Sequence, residues 1–410
     1  MLSVLLGVVF LVLAGVLAMS VYVNKSIVDE GEVDPSMLAL FYDSYEKNRE
    51  EFRRMSTSLQ ERFDDVEVDK HIVKSEVDSD LSIDTVYVPA QNKPQKLMIV
   101  SSGIHGIEGF TGSAVQRFFV RELIKSEDLD NIGILLIHSV NPYGFKYGRR
   151  VSENGVDINR NFDVSKILFD IGNEGYEKIY KFLNPQKKAK TGFFRNTFFF
   201  IKSMYHILKY KMEALRQATV QGQYAFKNGI YYGGNNFEPQ KEWIERLILD
   251  KISDYECIFL VDVHTGYGER GKLHFLPGEV HEETRKILLQ EMFEDFLIDW
   301  PGGNFYKVKG GFRDYVWNLI PSDKKYIGVV FEFGTLNSRQ TVGSIRSLHN
   351  MVLENQGFQQ GYKNSEAEKR VKDRFREMFF PSSEIWRSQI MKQVDEVLPV
   401  LIDRYMQLVL

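Results

Sequence analysis

One cysteine stands in 410 residues, and a single thiol excludes an intrachain disulfide framework and every cysteine-based zinc knuckle. That residue, Cys257, lies in the apolar run Cys257-Ile258-Phe259-Leu260-Val261 and reads as a small core side chain. Charge of one sign is missing too. With 52 basic against 56 acidic side chains the formal charge is -4, so no global field points to nucleic acid, and that class of partner is set aside. There is no internal repeat, no low-complexity tract, no G-x-S-x-G elbow and no phosphate-cradling G-x-x-x-x-G-K loop. Charge is also absent from 1–23, which is dominated by Leu, Val, Ala and Gly and is long enough to cross a bilayer as a helix. No basic segment precedes it, as a cleaved signal would require, so an uncleaved anchor is the favoured reading over a signal sequence cut near Ala18-Met19-Ser20. The expectation is a membrane-anchored protein with a single span at 1–23, facing a side that Lys25 and the acidic residues after it leave open.

What is present has the composition of a folded globular protein, 43% hydrophobic and 26% charged. After an acidic linker at 24–34, Pro35 opens a stretch with apolar positions at Leu38, Phe41, Tyr45, Phe52, Met55, Leu59 and Phe63, which predicts an amphipathic helix. Strand-like runs follow at 66–73, 83–89 and 97–102, then a helix at 111–125 and a buried strand at 134–140. Residues 165–240 read as an insertion, aromatic-rich around 193–201, helical over 201–219, and with a glycine-rich irregular loop near 222–234. A helix at 243–252, strands at 258–266, 273–277 and 326–333, and a helix around 282–296 complete an αβ alternation. The chain ends in a packing helix over 384–409, bent at Pro399.

Three of the apolar runs end in residues that carry chemistry. Leu97-Met98-Ile99-Val100 leads to His105 and Glu108, a pair of side chains able to bind a borderline cation such as zinc. A catalytic zinc takes three protein ligands, and alone the H-x-x-E spacing is commonplace: a turn with one buried His and one solvated Glu accounts for it as well. The run Ile258 to Val263 leads to His264, the candidate third ligand. In the third, Glu332 sits among apolar neighbours, where a carboxylate is destabilising unless it is paired with a cation or has a raised pKa. The loop 149–162 holds Arg149, Arg150, Asn159 and Arg160, a set suited to gripping a carboxylate. Arg149 is the neighbour that can exchange roles with Arg150; otherwise it is a solvated cation. His138, His274 and His281 have no partner pattern and read as structural or exposed.

In this order the motifs resemble the zinc metallocarboxypeptidases and their relatives, the aspartoacylase and succinylglutamate desuccinylase type deacylases. The resemblance spans roughly 41–358, and the G-Q-Y and Y-Y-G-G segments of the insertion are similar to a bacterial branch of that family. It implies a three-layer αβα fold with a mixed, mostly eight-stranded sheet, carrying a helical insertion and preceded by the membrane helix. The domain at 35–380 would be catalytic, with 165–240 inserted and 381–410 a packing helix. It also implies one Zn2+ per chain held by His105, Glu108 and His264, with Asp157 orienting His105. Glu332 would be the general base, and Arg150 would polarise the scissile carbonyl. Asn159 and Arg160 would hold the substrate's free carboxylate, Tyr306 would close over it, and Arg313 would line a side-chain pocket suited to an acidic terminal residue. The implied activity is hydrolysis of an amide next to a carboxylate-bearing residue, by a metallocarboxypeptidase or, alternatively, an N-acyl amino acid deacylase. A catalytically inactive relative that binds peptides is the third reading, against which the presence of Glu332 argues. His264 is followed by Thr265-Gly266, closer to the deacylase branch, and the insertion is long enough to wall off the cleft against long peptides.

Overall fold

The computed structural model describes residues 2–125, 129–278, 280, 282–300 and 307–409, with the side chains of 2–9, 11–13 and 123–125 excepted. Seven strands form one sheet: β1 (Glu67–Ile72), β2 (Ser82–Val88), β3 (Lys96–Ser102), β4 (Ile132–His138), β5 (Cys257–Gly266), β6 (Leu273–Leu276) and β7 (Lys325–Gly334). Their spatial order is β1-β2-β4-β3-β5-β7-β6. The inner four, β4, β3, β5 and β7, run parallel, while β1, β2 and β6 are antiparallel additions at the two sides.

The inner strands are apolar almost without interruption because helices cover both faces. Alternate residues point to opposite sides of a strand. Met98, Val100, Phe259, Val261, Val329 and Phe331 therefore pack on one layer, with the helices Tyr45–Gln60, Gly109–Lys125 and Glu384–Gln407. Leu97, Ile99, Ile258, Leu260 and Tyr326 pack on the other, with Gln240–Ile252, Phe312–Leu319 and Ser365–Phe379. This is a three-layer αβα arrangement, and among the described residues its sheet has seven strands where eight were expected.

Two helices differ from the sequence reading. The apolar pattern from Pro35 is split into a turn at Pro35–Leu38 and a helix at Tyr45–Gln60, because Ser44 is extended and its hydroxyl accepts the Lys47 N–H as a new cap. The 201–219 helix is likewise two, Phe193–Tyr210 and Met212–Val220, separated by Lys211 at a φ of 67°.

The membrane span is overturned. Among the described residues no helix is long and apolar enough to cross a bilayer, which removes the single N-terminal span and the membrane as a partner through it. The helix Leu2–Asn24 is instead held by protein at its carboxyl end. Thr197 donates to the buried Ser20 hydroxyl at 2.7 Å, and Arg346 donates to the Tyr22, Val23 and Lys25 carbonyls. Val23 packs with Phe200 and Ile345.

Candidate metal centre

Strand register brings the first three groups together. Ser102 of β3 lies opposite Val263 of β5, so the chain leaving β3 and the His264 that follows Val263 share one end of the sheet. On the other side of β5, His264 pairs in register with Glu332 of β7. After β3 the backbone turns into the 3-10 helix Gly106–Glu108, with His105 just before it and Glu108 in it, which points both side chains back over the strand ends.

His105, Glu108 and His264 are buried and offer one ligand atom each, all within 4.8 Å of one another. Glu108 Oε1 lies 2.9 Å from His105 Nδ1, its Oε2 lies 2.9 Å from His264 Nδ1, and the two Nδ1 atoms are 3.1 Å apart. The far nitrogens are also engaged. His264 Nε2 contacts Asp262 at 2.7 Å, and Asp262 in turn accepts from Ser101 at 2.7 Å. Asp262 is a residue the sequence reading passed over, although it stands two positions before His264 on a strand and so shares its face. His105 Nε2 faces Asp157 Oδ1 at 3.3 Å and Arg150 Nη2 at 2.6 Å. One nitrogen cannot donate to the first and accept from the second, and the buried Asp157 Oδ1 has no hydrogen-bond partner.

This donor set fits a divalent cation. Three buried carboxylates, Glu108, Asp157 and Asp262, surround the two imidazoles, and Arg150 pairs with the first two of them. A metal-bound His typically donates its other ring N–H to a carboxylate or carbonyl, and Asp262 and Asp157 stand where His264 and His105 need them. Binding through His105 Nδ1 would put the proton on Nε2 and satisfy the orphaned Asp157 oxygen.

The ionisation pattern agrees. Burial works against the charged forms, yet the Asp262 and Glu108 carboxylates hold His264 well above the usual imidazole range. Asp157 is likewise held well below the usual carboxylate range, burial being outweighed by Arg150 and His105. Glu332 behaves in the opposite way: burial and the nearby Glu108 carboxylate push it up to about 8. Its Oε1 accepts the Tyr267 N–H at 2.8 Å, which leaves the other oxygen for the cleft.

Of the other expected residues, Asn159 accepts the Phe312 N–H at 2.9 Å, anchoring it to the helix Phe312–Leu319. Arg160 is buried, donates to the Val220 and Asn159 carbonyls, and lines the same cavity as the three ligands. The 165–240 segment is built around it. Tyr224 donates to the Arg160 carbonyl at 2.9 Å, and a Cβ on Gly222, whose φ is 98°, would lie 2.8 Å from Arg160 Cδ. Arg313 lines the cavity, its guanidinium donating to the Leu276 carbonyl and paired with Asp314 at 2.6 Å. Tyr306 and His281 lie outside the described residues. Arg149 is not solvated: it is buried and paired with Glu354 at 2.7 Å. His274 is held between Asp299 and the Glu269 N–H, and His138 lies against Ser113 and Phe52, both in structural settings. Tyr231, with a φ of 57°, and Phe379 also line the cavity, with the Arg150 guanidinium 5.5 Å and 5.9 Å from their ring centres.

The model of the family described as "Protein of unknown function (DUF2817)" matches residues 41–393. No curated protein matches the chain. Among solved structures it is similar to bovine thrombin-activatable fibrinolysis inhibitor in complex with tick carboxypeptidase inhibitor, at 14% identity over 77% of this chain and 96% of that one, with a TM-score of 0.42. It is similar to carboxypeptidase A from Helicoverpa armigera at 14% identity over 82% and 73%, TM-score 0.45. An aspartoacylase family protein from Mesorhizobium loti matches at 13% identity over 71% and 67%, TM-score 0.36.

Proposed function

We propose that this chain, which belongs to the DUF2817 family, is a zinc-dependent hydrolase that cleaves an amide bond next to a carboxylate-bearing residue. The observation that carries the reading is the convergence of His105 Nδ1, Glu108 and His264 Nδ1 on one point, with Asp157 and Asp262 behind the two imidazoles.

In this reading His105, Glu108 and His264 hold one zinc ion. When bound, zinc supplies Lewis acidity that makes water a nucleophile near neutral pH and polarises a carbonyl. Asp157 and Asp262 fix the tautomers of His105 and His264. Glu332 takes the proton of the attacking water and returns it to the leaving nitrogen. Its raised pKa suits the second task, and the positive charge that Glu108 would then share lowers it towards the range needed for the first. Arg150 turns from His105 Nε2 to the developing oxyanion, which frees that N–H for Asp157. Arg160 and Asn159 grip the substrate's carboxylate, and Arg313 receives an acidic side chain. The catalytic unit spans 35–380.

A metallocarboxypeptidase is the first form of this activity. The deacylase form is favoured by one observation: helices of the 165–240 segment line the cavity, which restricts the approach of a long peptide. The test is metal analysis of the purified chain followed by hydrolysis of a panel of short peptides and N-acyl amino acids. One zinc per chain with turnover of part of the panel is expected. Intact ligands without zinc binding would remove both forms of the enzyme.

A further inference from the structure

The cavity over the centre has a second arm that neither the metal ligands nor the carboxylate grip uses. The whole space is about 390 Å³, within the ~300–1,000 Å³ common for small-molecule sites. Its polar end is formed by the centre, Arg150 and Arg160. The other walls come from the 165–240 helices and from the helix Thr341–Gln360, and they present Ile179, Phe182, Ile207, Leu215, Leu348 and Met351. Few polar groups interrupt this wall: Ser203 donates to the Phe199 carbonyl and Thr219 to the Leu215 carbonyl, which leaves His206 Nδ1 and Ser347 Oγ as buried atoms without a hydrogen-bond partner and Arg216 bonded to the Ser338 carbonyl.

The position of the arm decides what it can hold. Arg160 and Asn159 are tied to Val220 and Phe312, so the charged end of a substrate is fixed there and its amide lies between them and Glu332. In that reading what remains is the group on the carbonyl side of the bond, next to Arg150, Tyr231 and Phe379, and there Met351 packs in one cluster with Phe379 while Leu348 and Tyr231 pack on another. A peptide continuing in this direction would bring more N–H and C=O groups than the few polar atoms of this wall can pair, whereas a hydrocarbon chain has none to satisfy.

We propose that this arm receives the aliphatic chain of an acyl group, which makes amino acids acylated with medium or long hydrocarbon chains the substrate class. The proposal rests on the hydrolase reading above for its chemistry. Water adds to the acyl carbon, the C–N bond breaks, and the proton accepted by Glu332 goes to the departing nitrogen, giving a free fatty carboxylate and an amino acid.

Binding can be read apart from turnover by titrating chelator-stripped protein calorimetrically with N-acetyl-, N-hexanoyl- and N-decanoylglutamate. The Kd is expected to fall by about three- to fourfold per added methylene until the arm is filled, from the transfer free energy of a CH2 group. Equal Kd values along the series, or tightest binding of the acetyl compound, would overturn the proposal. In L215R the decanoyl-to-acetyl affinity ratio should drop at least tenfold, and L348E, on the helix Thr341–Gln360, should do the same. Because a ratio is read, a partly unfolded preparation does not mimic the result, and an unchanged ratio in both variants would sink the idea. Chain-length-dependent binding combined with no hydrolysis of any member by the zinc-loaded chain would instead leave the arm standing and refute the hydrolase.

Discussion

Two carboxylates of the centre divide the work by environment. Glu108 is held ionised, against its burial, by His105 and His264, while Glu332, buried and beside Glu108, is pushed up to about 8. In the proposed function that difference suits Glu108 to the part of ligand and Glu332 to carrying a proton. The variant Glu332→Gln should keep one zinc per chain and lower kcat by about 10²–10⁴-fold, the range of a general acid–base residue. Turnover equal to wild type would take Glu332 out of the mechanism. Asp262 acts through His264. Asp262→Asn should weaken zinc binding by about 10–100-fold, measured by competition with a chromogenic chelator, and unchanged affinity would show that the imidazole needs no support there. The sequence shows His105, Glu108, His264 and Glu332 plainly because each lies in or just past an apolar strand run. Tyr231 is hidden, since nothing in Gly229-Ile230-Tyr231-Tyr232 says that Tyr231 lines the cavity while Tyr232 is buried away from it.

At the scale of elements, helix-to-helix docking carries a pH dependence. His349 of the helix Thr341–Gln360 stacks on Phe199 at 4.1 Å and, buried, has its pKa pushed down to about 3. In the native state it is neutral, while the unfolded chain takes up a proton below the ordinary value of 6.5. Its stabilising contribution is therefore constant above pH 6.5 and is lost as the pH falls from there towards 3. Between pH 7.5 and 4.5 that loss is about 2–3 kcal/mol, and His349→Phe should remove it. Urea unfolding of both proteins at the two pH values checks this; parallel losses would clear His349.

The same helix explains why part of the fold stays unread in the sequence. Thr341–Gln360 buries Ile345, His349, Met351, Val352 and Leu353 against different neighbours, so its apolar residues form no single stripe. Ser365–Phe379 is a different case: Val371, Phe375, Met378 and Phe379 follow helical spacing behind an Asn364 cap, and this signal was available though passed over. The parallel strands were the most legible elements because burial on both faces writes them as unbroken apolar runs. Even the exposed β1 and the four-residue β6 were legible as strand-like runs, and the expectation of an eighth strand came from the resemblance, not from any run of residues.

For the molecule as a whole, the candidate ligands come from two distant stretches of chain, so a bound cation would tie the end of β3 to β5. Zinc that binds only the native arrangement stabilises it by about 4 kcal/mol at a thousandfold excess over Kd. The thermal unfolding midpoint should rise with zinc and fall with a chelator, and a midpoint indifferent to both would mean that no ion is held. A last consequence lies in the order of events during synthesis. β7 follows both β5 and β6 in the chain yet lies between them in the sheet, and it brings Glu332 with it. In the proposed function, the residues that would hold a cation and those that would grip a carboxylate are all made before the residue that would move the proton. Hydrolysis, in that reading, therefore waits for the last strand of the chain to take its place inside the sheet.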